Sequence, residues 1–489
     1  MRRYIFALCV SSLIGGCATA LDTVRPVGPE TETVGEAMVW PDYVASSDRA
    51  LLLEAEQRIE QIRKGELLVR VVDSAGDPVP EMTVAWEQTS RDFQFGVDEP
   101  FDPAVWGSLV RIGVNHCSVT LDWESTEPEP GDNTAILASA AWGMDVLPYM
   151  GVSARGAATL WPVADRTPEW VRRLSPLAMR TAVDRHVRLM SRDLVNPVSV
   201  WEVLRDPILT QSDALGDSPS HMIELAKAAV GAFRDVDPGT PILVNFSNPF
   251  GDAQRLSPLH FAERLRVAGV DFDAIGVQYF YNGYTARGRE ALPSRSLTEI
   301  ASSFDAMALA GKRIHVTGIS VPSKSPQNDA NVMGQWGRRW SPQLQATYLK
   351  AFYTVAFSNG HVDAITWQDA VDMGSYVHSG GLFEKPGAPK DSFFALANLL
   401  RRWRTTADGE TNDDGALRFR GFAGNYRLVV RDPRTQRELA TTAHIREREL
   451  GAVTIALPPE FTAPVGSQPW VVLKRSVQEE AGPSVASQR

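Results

Sequence analysis

From Phe93 to Trp403, short β-branched runs alternate with segments of helical periodicity, and no other feature of the sequence restricts the fold as tightly. Eight candidate strands fall at residues 93–96, 115–123, 152–160, 198–206, 242–247, 274–281, 313–321 and 364–369. Eight strands joined by helices close most simply as a (β/α)8 TIM barrel of class α/β, in which chemistry sits where the strands end. The chain of 489 residues has room for such a barrel with attachments. Its ordinary globular composition, 44% hydrophobic and 22% charged, excludes a wholly disordered or many-spanning membrane protein.

The flanks read differently. Ser46-Ser47-Asp48 offers a cap for a helix running to about residue 63, with Leu51, Leu52, Leu53, Ala55, Ile59 and Ile62 at helical spacing. Strand-like runs at 67–72 and 83–86 bracket Gly76-Asp77-Pro78, which predicts a β-hairpin, so 46–92 is expected to be a helix plus a hairpin. After Trp403, turn signals at Asp408-Gly409, Asp413-Asp414-Gly415 and Ala423-Gly424-Asn425 punctuate runs at 417–422, 426–431 and 453–457. A β module of 404–457 is small to stand alone, so it is expected to pack with the hairpin as one sandwich-like unit beside the barrel at 93–403. The last stretch, 458–489, rich in Pro, Ser and Glu, reads as poorly ordered.

At the N-terminus, Arg2 and Arg3 precede an apolar run at 4–14 that is too short to span a bilayer. It ends in Leu13-Ile14-Gly15-Gly16-Cys17, which resembles a bacterial lipobox and implies cleavage before Cys17 and acylation of that thiol. Residues 1–16 are then a signal peptide and 17–45 a tether, with the lipid as the chain's contact with a membrane. Ala18, in place of an acidic residue, points to the outer membrane of the cell envelope. Cys117 is the cysteine left over, expected to be a buried and inert thiol, with neither a disulfide framework nor a cysteine metal site.

The charge, −10 from 49 Lys+Arg and 59 Asp+Glu with no long basic run, argues against a nucleic-acid partner and suits a neutral one such as a glycan. The eight histidines show no HxxxH or HEXXH spacing. No phosphate-cradling glycine loop or Gly-x-Ser-x-Gly elbow occurs, so neither metal nor cofactor is expected.

Two strand ends carry the chemistry to be weighed: Trp201-Glu202-Val203-Leu204-Arg205-Asp206-Pro207 on the fourth, and Ile314-His315-Val316-Thr317-Gly318-Ile319-Ser320-Val321-Pro322 on the seventh. Both resemble the catalytic strands of family ten glycoside hydrolases, the xylanase family, which typically read Trp-Asp-Val-Val-Asn-Glu and Ile-Thr-Glu-Leu-Asp. Further segments are similar to that family in order and spacing. Phe93-Gln94-Phe95-Gly96 resembles the entry into the first strand. Trp123 with Glu127-Pro128-Glu129-Pro130-Gly131, and Arg155-Gly156-Ala157-Ala158-Thr159-Leu160-Trp161, resemble the second and third. Ile275-Gly276-Val277-Gln278, Trp367, and Gly381-Leu382-Phe383 with Pro389-Lys390 resemble the sixth and eighth. The resemblance implies a (β/α)8 barrel that takes a polysaccharide or oligosaccharide.

Departures from the family pattern bear directly on activity. Gly318 matches the nucleophile position and Asp206 the acid/base, one methylene shorter than glutamate. Arg205 replaces an asparagine, Ala157 a histidine and Asp122 a lysine. Retaining hydrolysis needs two carboxyl groups about 5–5.5 Å apart, so the resemblance implies binding with that hydrolysis lost or altered. Asp206 remains the candidate acid, and Asp369 is the leading relocated carboxylate, ahead of Asp122, Glu124 and Glu202. Glu202 is expected inside the barrel. Trp161, Trp367, Gln278, Tyr279, Trp123 and Arg205 are the candidate sugar contacts, flat rings at strand ends being suited to stacking. The loop 322–339, with Trp336 and Trp340 near its exit, is a candidate lid. Two alternatives stay open: an active hydrolase with relocated carboxylates, and a structural envelope lipoprotein with a filled barrel mouth.

Overall fold

A computed structural model describes residues 37–98, 102–132, 146–194, 198–251, 254–280, 295–325 and 333–462. Helix α1 (Ser46–Ile62) packs Leu52, Ala55 and Ile59 inward. Its expected cap is not used. The residue before the helix is Ala45, without a side-chain bond, and Asp48 instead accepts from Trp336 Nε1 at 2.7 Å. The described part of the expected tether is also not loose: Met38 and Val44 are buried, and Met38 donates its backbone N–H to Glu56 at 3.0 Å. Cys17 and the rest of 1–36 lie outside the described residues.

Strands β1 (Lys64–Val72) and β2 (Thr83–Gln88) lead into the barrel. Its staves are β3 (Gln94–Asp98), β4 (His116–Thr120), β5 (Ser153–Ala157), β6 (Val198–Arg205), β7 (Ile242–Phe246), β8 (Ala274–Phe280), β9 (Arg313–Ser320) and β10 (Val362–Gln368). They close in chain order, β10 pairing in parallel with β3. The sequence explains this geometry: β7 is buried at every residue and β8 at all but its last, as staves covered on both faces must be. Around them run α2 (Pro103–Ile112), α3 (Pro176–Leu194), α4 (Pro219–Val236), α5 (Pro258–Val267), α6 (Leu297–Ala308), α7 (Pro342–Phe357) and α8 (Asp391–Arg402). Asp102 accepts from the N–H groups of Ala104 and Val105 with Pro103 at the first turn, and Gly113 (φ 99°) ends α2 in the left-handed conformation.

A hairpin, β11 (Phe383–Lys385) with β12 (Ala388–Pro389), precedes α8. Five strands follow it: β13 (Thr406–Glu410), β14 (Ala416–Phe422), β15 (Gly424–Arg431), β16 (Glu438–Ile445) and β17 (Leu450–Ala456). With β1 and β2 they build the expected sandwich, but not through a hairpin. β1 joins a sheet of order β14-β1-β17, while β2 lies in the facing sheet, β13-β2-β15-β16. The correction has a simple cause. Each strand alternates buried and exposed residues, so each can cover one face of a shared core and take its ladder from later strands. Val69, Val71, Val84, Leu428, Val430 and Ile455 fill that core, and Trp86 stacks on Phe419 at 4.2 Å. Tyr426, near the start of β15, donates its hydroxyl to the Phe422 carbonyl at 2.7 Å, a tyrosine corner that fixes the sheet-to-sheet crossing. The start of the expected loose tail also belongs to the sandwich: 459–462 form a helical turn, and Phe461 is buried.

Arg63 joins the two bodies. Fully buried, it donates to the carbonyls of Phe357, Asn359 and Val362 on the barrel and to Glu447 on the sandwich at 2.6–2.8 Å. Its guanidinium also lies 4.8 Å from the Phe93 ring centroid.

Candidate functional site at the barrel mouth

The C-terminal ends of the staves gather a polar cluster around Glu202, which points into the barrel as expected and is completely buried. Arg205, three residues on along β6 and past a register shift between Glu202 and Leu204, donates Nε to Glu202 Oε1 at 2.5 Å, and Asn245 Nδ2 donates to the same oxygen at 2.9 Å. Arg155 from β5 sets Nε 3.2 Å from Glu202 Oε2 and donates to the Thr317 carbonyl at 3.0 Å. Thr317 in turn donates its hydroxyl to Asn245 Oδ1 at 2.8 Å, so β5, β6, β7 and β9 are tied together. Burial alone would raise the Glu202 pKa, but the Arg205 and Arg155 guanidiniums hold it below the ordinary carboxylate range.

Asp206 follows on the same strand, buried and in a left-handed conformation (φ 51°) that aspartate tolerates. It does not pair with Arg205 by hydrogen bond. Its Oδ1 accepts from the Ser247 backbone N–H at 2.5 Å, and burial, only partly offset by that bond, pushes its pKa up to about 6. Asp369, also left-handed (φ 60°) after β10, accepts from the Tyr376 N–H at 2.6 Å. Ala158 (φ 65°) after β5 is a third such residue, each costing about 1–3 kcal/mol that the surrounding structure must offset.

Gly318 stands on β9 opposite Gln278 of β8. A Cβ placed there would lie 2.9 Å from Phe280 Cζ, 3.1 Å from Gln368 Oε1 and 3.4 Å from Gln278 Nε2. An aromatic ring and two amides therefore occupy the space a side chain would need. Gln368 donates its Nε2 to Asp98 Oδ2 at 2.9 Å, and Phe280 packs on Tyr376 with ring centroids 4.8 Å apart.

The aromatic candidates separate sharply. Trp161 is half-buried and lies beneath two guanidiniums, Arg205 at 4.7 Å and Arg166 at 5.3 Å from the ring centroid. Trp367, Tyr279 and Trp123 are at most 1% exposed, which corrects their assignment as sugar platforms. Trp367 donates to the Gly380 carbonyl at 3.0 Å, and Tyr279 shares a 2.6 Å hydrogen bond with Ser303. Trp123 stacks on His186 at 4.6 Å and donates to Glu127 at 3.1 Å. Each ring fills the core and turns its one polar atom to a protein partner, which is how buried Trp and Tyr satisfy themselves. Asp122 caps the short helix Trp123–Thr126 and faces Arg166 at 3.2 Å. Cys117 is buried, its thiol pushed up to about 12 by desolvation.

Sequence reasoning missed Asp98, Ser247, Phe280 and Gln368. Asp98 closes β3 and is held above the ordinary carboxylate range by burial, despite the nearby Arg155 and Arg205. Its signal was available: it is the polar residue ending a buried run. Trp336 and Trp340 at the exit of the candidate lid turn away to α1 and α7 instead. There, Tyr43, Trp336, Arg338 and Leu344 line an open groove of about 780 Å³. Residues 326–332 of that loop lie outside the described residues. Among the described residues, no group of three or more His, Cys, Asp or Glu side chains is arranged to hold a metal ion.

A closed parallel barrel with polar groups gathered at the C-terminal strand ends defines a large class of proteins, many of them enzymes. Within it, this chain belongs to glycosyl hydrolase family 10, whose pattern matches residues 116–399. The chain is 24% identical over 433 residues to the anti-sigma-I factor RsgI6 of Acetivibrio thermocellus, a match covering 86% of this chain and 49% of that protein. It is 23% identical over 326 residues to endo-1,4-beta-xylanase 2 of Arabidopsis thaliana, covering 63% and 26%. The chain thus spans about half or less of the length of these curated relatives. Among solved structures, native xylanase 10B from Thermotoga maritima superposes with a TM-score of 0.51 at 16% identity, over 64% of this chain and 95% of that one. A variant of xylanase 10C from Cellvibrio japonicus, in complex with xylopentaose, gives 0.51 at 14% identity, over 64% and 68%.

Proposed function

We propose that this family 10 protein binds a polysaccharide at its barrel mouth, does not run the family's retaining hydrolysis, and is held at the bacterial cell envelope by a lipid on Cys17. One observation carries the loss of hydrolysis: the packing around Gly318, which matches the nucleophile position. Double displacement requires a carboxylate that attacks the anomeric carbon and a second carboxyl group about 5–5.5 Å away. At Gly318 the attacking oxygen is missing, and its space holds the Phe280 ring and the Gln278 and Gln368 amides. These groups can donate or accept hydrogen bonds to sugar hydroxyls, but none can form the glycosyl-enzyme bond. The xylopentaose complex of the Cellvibrio japonicus protein supports a glycan as the ligand class. The relative matched over 86% of this chain is named an anti-sigma-I factor, so a related chain forms part of a protein named for regulation.

A second reading, hydrolysis by relocated carboxylates, draws on Asp206. A pKa of about 6 suits a proton donor near neutral pH. Its base would be Asp369 or Asp98. Against it, Asp369 is engaged by the Tyr376 backbone, and Asp98 is bonded to Gln368 and held toward its neutral form.

A polysaccharide panel scored for both affinity and reducing-end release tests these readings, with Asp206→Ala alongside. Saturable binding without release is expected. Sugar release that disappears in Asp206→Ala would overturn the non-catalytic reading, and a folded protein that binds no glycan would favour the structural one. In cells, Cys17→Ala is expected to move the protein from the membrane to the soluble fraction; an unchanged distribution would refute the anchor.

A further inference from the structure

Resting on the glycan-binding reading, we propose that the mouth selects an acidic glycan, with the carboxylate of a uronic acid residue received by Arg205. Three observations lead there. Arg205 shares the neutralisation of Glu202, which also has Arg155 3.2 Å from one oxygen and Asn245 bonded to the other, so Glu202 engages only one edge of the Arg205 guanidinium. Its side chain is only 12% exposed, yet Nε alone is bonded, to Glu202. The four N–H donors of its terminal nitrogens have no hydrogen-bond partner among the described residues. A largely buried guanidinium left in that state is costly unless water or a ligand completes it. Finally, its plane is fixed, by Glu202 at Nε and by the Trp161 ring at 4.7 Å, so the open edge is presented without further loss of side-chain freedom.

A planar edge of paired N–H donors matches a carboxylate bidentately and is wasted on a single hydroxyl. The acids around it do not close the position. Glu202 is paired with both arginines, and Asp122 faces Arg166. Asp206 and Asp98 are bonded to Ser247 and Gln368, and burial moves both toward their neutral forms, which lessens repulsion of an incoming anion.

The test is calorimetric titration of the full chain with oligosaccharides bearing glucuronate, galacturonate or mannuronate. Each is matched to the same oligosaccharide after carboxyl reduction and to a neutral xylo-oligosaccharide. At least one uronate ligand is expected to bind about tenfold or more tightly than its reduced form. Arg205→Lys, which keeps the charge beside Glu202 but loses the planar edge, is expected to remove most of that preference while melting as the parent does. Arg205→Gln removes the rest. Equal affinity for every acidic ligand and its reduced partner would overturn the proposal and leave the glycan reading standing. Failure of the parent to bind any of the panel, neutral or acidic, would end both.

Discussion

The ends of β6 and β9 face the same mouth, and they have been treated very differently. At β6 the carboxylates are engaged: Glu202 takes two arginines and an asparagine, and Asp206 takes a backbone N–H. At β9, Thr317 serves that same network and Ser320 donates to the Gly380 carbonyl at 3.0 Å, while the position after Thr317 is a glycine under an aromatic ring. One strand end is organised by charge and the other by packing around Gly318. Tying the staves together and lining the mouth therefore fall on different residues, even one position apart.

The sharpest way to break this contrast is Glu202→Ala. It leaves two buried guanidiniums facing each other, and a loss of about 3–5 kcal/mol in denaturant unfolding is expected. A loss under about 1 kcal/mol, the size of an exposed pair, would show that the network is not a structural unit. Next comes Asp206→Asn, read as a pH profile. The folded-state pKa of Asp206 lies above the ordinary 3.8, at about 6. Its contribution is therefore complete below the unfolded value and is lost as pH rises to about 6. The stability of the parent relative to Asp206→Asn should fall by on the order of 3 kcal/mol between pH 4 and 7. Parallel curves would show that Asp206 is not buried as described. The smallest effect is expected at β9. Gly318→Glu should cost about 1–3 kcal/mol by overpacking against Phe280, and Gly318→Glu with Phe280→Ala should recover part of it. Additive losses in that cycle would mean that the ring is not what fills the position.

The barrel was legible because its evidence is repeated eight times, and errors confined to strand ends do not alter the closure. Those errors share a cause. The run 115–123 reads as one strand, but β4 stops at Thr120 because Asp122 caps a helix starting at Trp123. The site was legible only in part. The sequence showed that Gly318 lacks an oxygen, but not that Phe280 and two glutamines would occupy its place, because the neighbours come from β8 and β10. Nor does the sequence show that a register shift between Glu202 and Leu204 brings the Arg205 guanidinium onto Glu202, three residues earlier. Trp367, Tyr279 and Trp123 stand at strand ends as platforms would, and only burial separates a core ring from a stacking one. The Asp408-Gly409 turn signal instead lies inside β13, and β16 is polar along much of its length, so neither strand shows in the sequence.

Arg63 acts as a keystone. With three carbonyls of the barrel and a carboxylate of the sandwich closed around one cation, neither part can swing without stranding a charge away from water. Heat should take the two apart in a single transition, and a truncation ending after Trp403 would yield a barrel with a wound in its floor.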